Sequence, residues 1–307
     1  MPARTPTVVI TTRNRKEELC RAIDSAITQT RSVEILVIDD GSTDGTSELL
    51  RSRYPSVRVE RHASSAGLIV RRNEAARKAT GDIIFSLDDD AVFSTPYVVE
   101  QTLKDFDADA SIAAIAIPCI DVLQSDRLRQ PLPDRQHVYV TSEYIGTAHA
   151  VRRDAFLRLG GYREILIHQG EERDFCLRLL EAGHFVRLGT ADPIHHFESP
   201  KRDQRRQDQY GRRNDVLFAW QNSPLHLLPG HLLATTVNGL RFGMRCHRFG
   251  RMIMGLGKGY FDILRAAADR RPVSTRSYVL MRKLRQSGFL QIEVAAQHLR
   301  NLAEREQ

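Results

Sequence analysis

Three consecutive carboxylates, Asp88-Asp89-Asp90, close an apolar, largely β-branched run, Ile83-Ile-Phe-Ser-Leu87. Like charges at the mouth of a buried strand repel, and a cation between them offsets that cost. Oxygen ligands suit a hard divalent ion, Mn2+ or Mg2+, which in turn holds phosphate. A solvated acidic turn has the same composition, so the triplet needs support from the rest of the chain. A second acidic cluster, Glu171-Glu172-Arg173-Asp174, opens a helical pattern, where carboxylates also serve the helix dipole alone. Glu171 and Asp174, three apart, share a helix face, and Glu172 points elsewhere. His195 and His196 follow in a loop, Pro193–Pro200, and are candidate metal ligands.

The elements that position these groups alternate. Thr7–Thr12 reads as a central parallel strand, and Asn14 as the N-cap of a helix that buries Leu19, Ala22, Ile23, Ala26 and Ile27. Residues 33–40 form a second strand ending in Asp39-Asp40, followed by a turn at 41–46 and a short helix over 47–52. A third strand covers 57–60, a helix covers 67–79 and is closed by Gly81, and strand 83–87 follows. This repetition predicts βαβ units and a doubly wound, mostly parallel sheet flanked by helices. Ligands of such sheets lie at the carboxyl ends of the strands, where Thr11-Thr12-Arg13-Asn14, Asp39-Asp40 and the Asp triplet converge. Neither G-x-G-x-x-G after the first strand nor G-x-x-x-x-G-K-[ST] is present, which disfavours dinucleotide and P-loop sites.

Downstream, Thr95-Pro96 starts a helix to about Phe106, Ile112–Ile117 is a buried strand, and residues 120–136 form a surface loop. Tyr144–Val151 leads into a helix over 154–159 stopped by Gly160-Gly161. The acidic helix ends at Gly183, and strand 185–188 follows it.

The 307 residues are 41% hydrophobic and 27% charged, a globular composition. Cys20, Cys119, Cys176 and Cys246 lie far apart, which predicts a reducing compartment rather than a disulfide framework. The N-terminus lacks the apolar core of a signal peptide, and no run reaches transmembrane length, so a cytoplasmic or peripheral protein is expected. Residues 1–200 hold 25 Lys+Arg against 30 Asp+Glu, whereas residues 201–307 hold 20 against 8. A basic tail on a mildly acidic body points to an anionic partner. Arg202, Arg205, Arg206, Arg212 and Arg213 surround a helix leading to Trp220. Arg241, Arg245 and Arg248 share a face near Leu233, Val237, Leu240 and Met244, as in a basic amphipathic helix on an anionic membrane surface.

In their order, five motifs resemble the family 2 glycosyltransferases of the GT-A fold. They are Val8-Val-Ile-Thr-Thr-Arg-Asn14, Val37-Ile-Asp-Asp-Gly-Ser-Thr-Asp-Gly-Thr46, Gly67-Leu-Ile-Val-Arg-Arg-Asn-Glu-Ala75, Leu87-Asp-Asp-Asp90 and Glu171-Glu-Arg-Asp-Phe-Cys-Leu-Arg178. The match covers residues 6–200, with Arg71 where the family usually has Ala and Glu172 where it more often has Asp.

The resemblance implies a GT-A domain with a nucleotide-sugar-binding half, 1–110, an acceptor half, 111–220, and a basic helical C-terminal extension, 221–307. It implies that Thr11, Arg13 and Asp40 contact the base and ribose of a nucleotide-sugar, with Asp39 in support and Arg72 near the nucleotide. Asp88 would face the ribose or a metal-bound water, Asp89 would support the same nucleotide-binding turn, and Asp90 would ligate Mn2+ or Mg2+. His196, by its spacing to Ser199-Pro200, would approach the metal, with His195 as the alternative. Glu172 would be the base of an inverting displacement, with Glu171 second and Asp174 third.

The implied partners are a nucleotide-sugar donor, a saccharide or lipid-linked acceptor and an anionic membrane, rather than nucleic acid. Processive members carry membrane spans and Q-x-x-R-W, both missing here, so single-sugar transfer in cell-surface polysaccharide or glycolipid synthesis is expected. A sugar nucleotidyltransferase would favour a glycine-rich loop after the first strand, and a non-catalytic nucleotide-sugar binder would not need both acidic clusters intact.

Overall fold

The computed structural model describes residues 4–198, 204–265 and 270–305. The N-terminal half runs β1 (Pro6–Thr12), α1 (Lys16–Ile27), β2 (Glu34–Asp39), α2 (Thr46–Arg53), β3 (Arg58–Arg61), α3 (Leu68–Lys78) and β4 (Ile83–Asp88). Next come β5 (Ala91–Phe93), α4 (Val98–Asp105), β6 (Ile112–Ala116), β7 (Cys119–Asp121), β8 (Leu128–Arg129), β9 (Tyr139–Thr141), β10 (His149–Arg152) and α5 (Arg153–Arg158). After a 3-10 turn at Glu164–Leu166 follow α6 (Glu171–Glu181), β11 (Phe185–Leu188) and β12 (Ile194–His196). The chain ends in α7 (Gln204–Asn222), α8 (Leu228–Arg245), α9 (Phe249–Arg265), α10 (Thr275–Ser287), β13 (Leu290–Gln291) and α11 (Ile292–Arg305).

Among the described residues, nine strands form one sheet in the order β13-β9-β11-β6-β10-β4-β1-β2-β3. β1 pairs in parallel with β2 on one side and with β4 on the other, so the strand order reverses between β1 and β4. Their register sets Thr11 opposite Asp88, which places the end of β1 beside the Asp triplet. β10 runs antiparallel between β4 and β6, and so makes the second half of the sheet mixed. A smaller sheet, β5-β12-β7-β8, stands at the carboxyl end of the first. The core lies between the large sheet and its helices. Val8, Ile10, Leu36, Ile38, Phe85 and Leu87 of the strands pack with Leu19, Ala22, Ile23 and Ala26 of α1 and Ile69, Ala75 and Ala76 of α3. A C-terminal helical region is present, and β13 returns from it to pair with β9 at the sheet edge.

Several local expectations change. Asn14 does not cap α1: its φ is 55°, and its Oδ1 accepts from the Thr43 amide, which ties the β1 loop to the β2 loop. Ile27 is 51% exposed, since α1 ends there. Thr95-Pro96 precedes α4 by a turn; the Thr95 hydroxyl donates to Asp192. The predicted loop at 120–136 contains the β7–β8 hairpin, and the predicted loop at 193–200 contains β12, whose partner strands are remote in sequence. Ser199, Pro200 and Arg202 lie outside the described residues.

Gly81 is not a helix stop; α3 ends at Ala79 in an extended conformation. Instead Gly81 lies against β1, where a Cβ would come within 2.5 Å of the Thr5 carbonyl oxygen and 2.9 Å of the Pro6 carbonyl carbon. Both obstacles are backbone of a central strand and neither can swing aside. Gly81→Ala is therefore expected to destabilise the fold by about 2 kcal/mol. Urea unfolding checks this, and an unchanged midpoint would mean that the β1–β4 start spreads freely.

Candidate active site

The acidic triplet is one turn shared among three tasks. Asp88 ends β4 with its side chain 27% exposed, and its amide donates to the Thr147 hydroxyl. Asp89 is buried and accepts from the Thr12 hydroxyl at 2.8 Å and from Arg15 at 3.1 Å. Burial pushes its carboxyl up to about 7, and the neighbouring Asp90 and Asp88 charges add to that, against the opposing Arg15 and Thr12. Asp90 accepts from Arg15 at 2.7 Å and faces His196 Nε2 at 3.3 Å. Burial raises the Asp90 carboxyl, but the hydrogen bond and charge of His196 and the charge of Arg15 outweigh it, and its pKa is lowered.

Strand pairing delivers His196. β12 runs antiparallel to β5 and parallel to β7, which sets His196 beside Ala91 and Asp121. The Phe197 amide also donates to the Asp90 carbonyl at 2.7 Å. Successive strand residues point to opposite faces. His196 is buried between Asp90 and Asp121, while His195 is half-buried and faces away from them. His196 Nδ1 lies 2.7 Å from Asp121 Oδ1, a contact that fixes the ring and directs Nε2 to Asp90. Burial lowers the imidazole pKa, but its hydrogen bonds to the Asp90 and Asp121 carboxylates outweigh that and raise it above the ordinary value.

One ligand atom each from Asp88, Asp90 and His196 lie within 4.8 Å of one another, as do those of Asp121, His196 and Glu198. Two carboxylates and one imidazole fit a Mn2+- or Mg2+-type ion. Within that set Asp121 already occupies the second ring nitrogen of His196.

The second acidic cluster meets the first through Arg72 of α3. Its guanidinium is buried and donates to Asp88 at 2.7 Å, to Glu172 at 3.3 Å, to Glu171 at 3.4 Å and to the Gly146 carbonyl at 3.1 Å. Burial lowers the Arg72 pKa, but the charges of Asp88, Glu172 and Glu171 outweigh it and raise it. One cation faces three carboxylates. Burial pushes Glu172 up to about 8, with the charge of Glu171 adding to it and that of Arg72 opposing; Glu171 is likewise raised by burial. A Cβ at Gly146 would collide with Glu172 Oε1 and lie 3.0 Å from Arg72, so glycine leaves the gap these groups fill. Glu172 is 20% exposed and opens into a cleft of about 1010 Å³. Ser125, residues 127–131, the 143–146 loop, the start of α6, one side of α7, and Phe242 and Met252 of α8 and α9 line that cleft.

Other expected residues are placed apart from this pair of clusters. Asp174 is fully buried against Arg163, Arg178 and Asn222, where it fastens α6 to α7 and cannot reach the cleft. Asp39 accepts from the Ser42 amide and the Ser47 hydroxyl and so shapes the turn after β2. Asp40 accepts from Ser65 at 2.5 Å, Arg71 at 2.6 Å, the Ala66 amide at 2.8 Å and the Gly67 amide at 3.0 Å. A carboxylate has about four acceptor positions, so Asp40 has none left for a nucleobase, and Arg71 is the reason. Thr11 is half-buried at the end of β1 and Arg13 is exposed beside it.

Sequence reasoning missed Arg15, Asp121 and Gly146. Arg15 lies two residues from Arg13 with no motif to favour it, and Asp121 stands in a stretch read as loop. Gly146 sits in the Tyr144–Val151 stretch, where no local pattern marks it as close to a remote side chain. Arg71 was noticed as unusual, without a partner.

Comparisons with known proteins bear on the family and the fold. The family model described as glycosyl transferase family 2 matches residues 7–160. A pre-mycofactocin glycosyltransferase of Mycobacterium tuberculosis is 29% identical over 195 residues, 59% of this chain and 40% of that protein. An uncharacterized glycosyltransferase, YwdF, of Bacillus subtilis is 25% identical over 201 residues, 62% of this chain and 73% of that protein. The chain thus spans well under half the length of the mycobacterial relative. The mannosyltransferase PcManGT from Pyrobaculum calidifontis, solved with GDP-Man and Mn2+, superposes with TM-score 0.57 at 18% identity, over 96% of this chain and 85% of that one. Staphylococcus aureus TarS 1-349 with UDP-GlcNAc gives TM-score 0.60 at 14% identity, over 98% and 90%. At these identities the likeness concerns the fold.

The raised His196 pKa has a measurable consequence. A His196 that ligates Mn2+ would do so as the neutral imidazole, so binding would release a proton below that pKa, and apparent affinity would rise with pH until the pKa is passed. The ion-paired His196 stabilises the metal-free fold at low pH, and that contribution is lost as pH rises through its pKa. His196→Gln is expected to weaken Mn2+ binding about tenfold or more and to remove the proton release. Calorimetry in two buffers of different ionisation enthalpy reads both. Wild-type affinity and proton release in the variant would exclude His196 as a ligand.

Proposed function

The chain belongs to glycosyl transferase family 2, and on that premise we propose that it moves a single sugar from a nucleoside-diphosphate sugar to an acceptor hydroxyl with inversion. The observation that carries this reading is the Arg72 bridge. One guanidinium touches Asp88 of the metal-type cluster and Glu172 of the cleft, so donor and acceptor functions lie within one side chain of each other. Related folds solved with GDP-Man and with UDP-GlcNAc support a nucleotide-sugar donor, and complexes with Mn2+ support a divalent ion.

In this reading Asp88, Asp90 and His196 hold the ion, Mn2+ or Mg2+, whose chemistry when bound is Lewis-acid stabilisation of the departing diphosphate. Asp121 keeps His196 in the tautomer that presents Nε2. Asp89, through Thr12 and Arg15, keeps the turn in shape. Thr11 and Arg13 remain for the base and ribose, since Asp40 is filled by its own neighbours. Residues 1–110 carry the donor half and 111–220 the acceptor half, with 221–307 as the basic extension. Glu172 takes the proton of the acceptor hydroxyl from the cleft side, and Arg72 and the gap at Gly146 fix its carboxylate. The hydroxyl oxygen bonds to the anomeric carbon as the diphosphate leaves from the opposite face, which gives inversion. Glu171, buried behind Arg72, raises the basicity of Glu172 through its charge. The acceptor is a saccharide or a lipid-linked one, in polysaccharide or glycolipid synthesis at the cytoplasmic side of an anionic membrane.

A base must be ionised to work, and burial holds the Glu172 proton up to about 8. Transfer is therefore expected to climb with pH through an apparent value near there, measured as nucleoside diphosphate released from a panel of nucleotide-sugars with Mn2+. Glu172→Gln is expected to lower turnover by about 10²–10⁴ while leaving calorimetric binding of the donor intact. Full activity of that variant would rule Glu172 out as the base.

A further inference from the structure

α8 and α9 pack glycines together with Leu228, Met252 and Leu256 on their inner side and leave several other large apolar residues outside. On the inner side, a Cβ at Gly255 would lie 2.8 Å from the Gln209 carbonyl of α7, one at Gly259 2.8 Å from Val216, and one at Gly239 2.8 Å from Arg212. A Cβ at Gly243 would meet Met252 across the hairpin at 2.8 Å. Glycines four apart on each helix let the backbones approach closely, a packing pattern common among helices in lipid.

The outer side differs. Phe249, Ile253, Tyr260, Phe261 and Leu264 fall on one stripe of α9 at helical spacing, with Phe261 55% and Leu264 76% exposed. On α8, Leu233 and Met244 are exposed, with Leu233 66% exposed, and the half-buried Val237 and Leu240 lie between them on the same face. The Tyr260 hydroxyl bonds Thr236 at 2.7 Å, which ties the two helices side by side. Water gains nothing from this arrangement, and a contiguous exposed apolar surface of this kind marks a docking site.

Charge identifies the occupant. Between Asp215 and Asp262 the sequence contains no Asp or Glu but carries Arg241, Arg245, Arg248, Arg251 and Lys258. Arg248 and Arg251 are held by Asp208 of α7, whereas Arg241 and Arg245 are exposed beside the α8 stripe. A second copy docked face to face would set these arginines near their own equivalents, a repulsive pairing in a two-fold interface. An anionic bilayer supplies both phosphate at the rim and hydrocarbon at the centre. No described helix is long and apolar enough to cross a membrane, so the hairpin lies in the interface plane.

We propose that the α8–α9 hairpin is an in-plane anchor for an anionic lipid bilayer, inserting the Phe249/Ile253/Phe261/Leu264 stripe with Arg241 and Arg245 on headgroup phosphates. This goes beyond a basic helix at a charged surface, because the apolar α9 stripe and not the arginine row is the inserted part. The docking stands on the fold alone; its consequence for the acceptor rests on the transfer reaction proposed above. Phe242 and Met252 of the same helices line the cleft that Glu172 opens into, so anchor and cleft share one hairpin, and docking favours a lipid-linked acceptor by holding the cleft one helix layer from the bilayer.

The test uses the full chain with phosphatidylcholine vesicles, with and without phosphatidylglycerol, at low salt. Co-sedimentation is expected only with the anionic vesicles. Ile253→Asp with Phe261→Asp, and separately Arg241→Glu with Arg245→Glu, are each expected to weaken it about tenfold or more, with circular dichroism and Mn2+ binding unchanged. No binding to anionic vesicles would overturn the proposal, as would binding indifferent to the Ile253/Phe261 pair. A dimer in free solution that this pair dissociates, without vesicle binding, would overturn it in favour of a second copy. Donor turnover with Mn2+ is read in parallel. Turnover without vesicle binding removes the anchor and leaves the enzyme, whereas vesicle binding without turnover leaves the anchor and removes the proposed reaction.

Discussion

A single buried cation holds the site together. Arg72 joins β4, the 143–146 loop and α6 by hydrogen bonds to Asp88, the Gly146 carbonyl, Glu171 and Glu172. Desolvating three carboxylates at one spot is unfavourable without a positive partner, and removing that partner would leave uncompensated charge. The guanidinium suits the task because its planar fork offers several donors at once and it stays ionised when buried. Burial raises both Glu171 and Glu172 above the usual carboxylate range, the Glu171 charge adds to the rise at Glu172, and Arg72 opposes it. The guanidinium thus orients Glu172 while opposing the rise that burial and Glu171 impose on it.

The metal-type cluster follows a different construction. Two of its members come from one turn, and the third arrives by β12 pairing with β5 and β7. Strand alternation sends His196 to Asp90 and Asp121 and turns His195 away. Where carboxylates are instead saturated by their own chain, they leave the chemistry. Asp40 is filled by Arg71, Ser65 and two amides, Asp39 by the turn it closes, and Asp174 by Arg163 and Arg178. Identical side chains at neighbouring strand and helix ends thus divide into working groups and braces according to what already occupies their lone pairs.

The C-terminal arginines divide in the same way. Arg213 is buried on Asp262 and Arg212 pairs with Asp215, so these members of a basic run are internal struts rather than surface charge. Their pairing lets α7 sit against the glycines of α8 and α9, and that close approach turns several large apolar residues of the hairpin outward.

Periodicity and turn chemistry were sufficient for the βαβ alternation and for the strand ends that gather the polar clusters, and the order of five motifs carried the family resemblance. These signals are local: β-branched runs, helical spacing of apolar residues, and acidic residues at strand ends. The long polar stretches at 120–136 and 193–200 were opaque. β12 exists only because it pairs with the remote strands β5 and β7, and the short β7–β8 hairpin is anchored to that sheet, which no single segment records. The tertiary structure alone decided which histidine meets Asp90, that Arg72 reaches both acidic clusters, and that Asp40 is already occupied. Each depends on residues 16 to 100 positions apart being brought within hydrogen-bond distance. The sequence determined which side chains were available for chemistry, because residue type and local pattern are properties of the chain. The fold decided which of them remain free to act, because that depends on partners supplied from elsewhere in space.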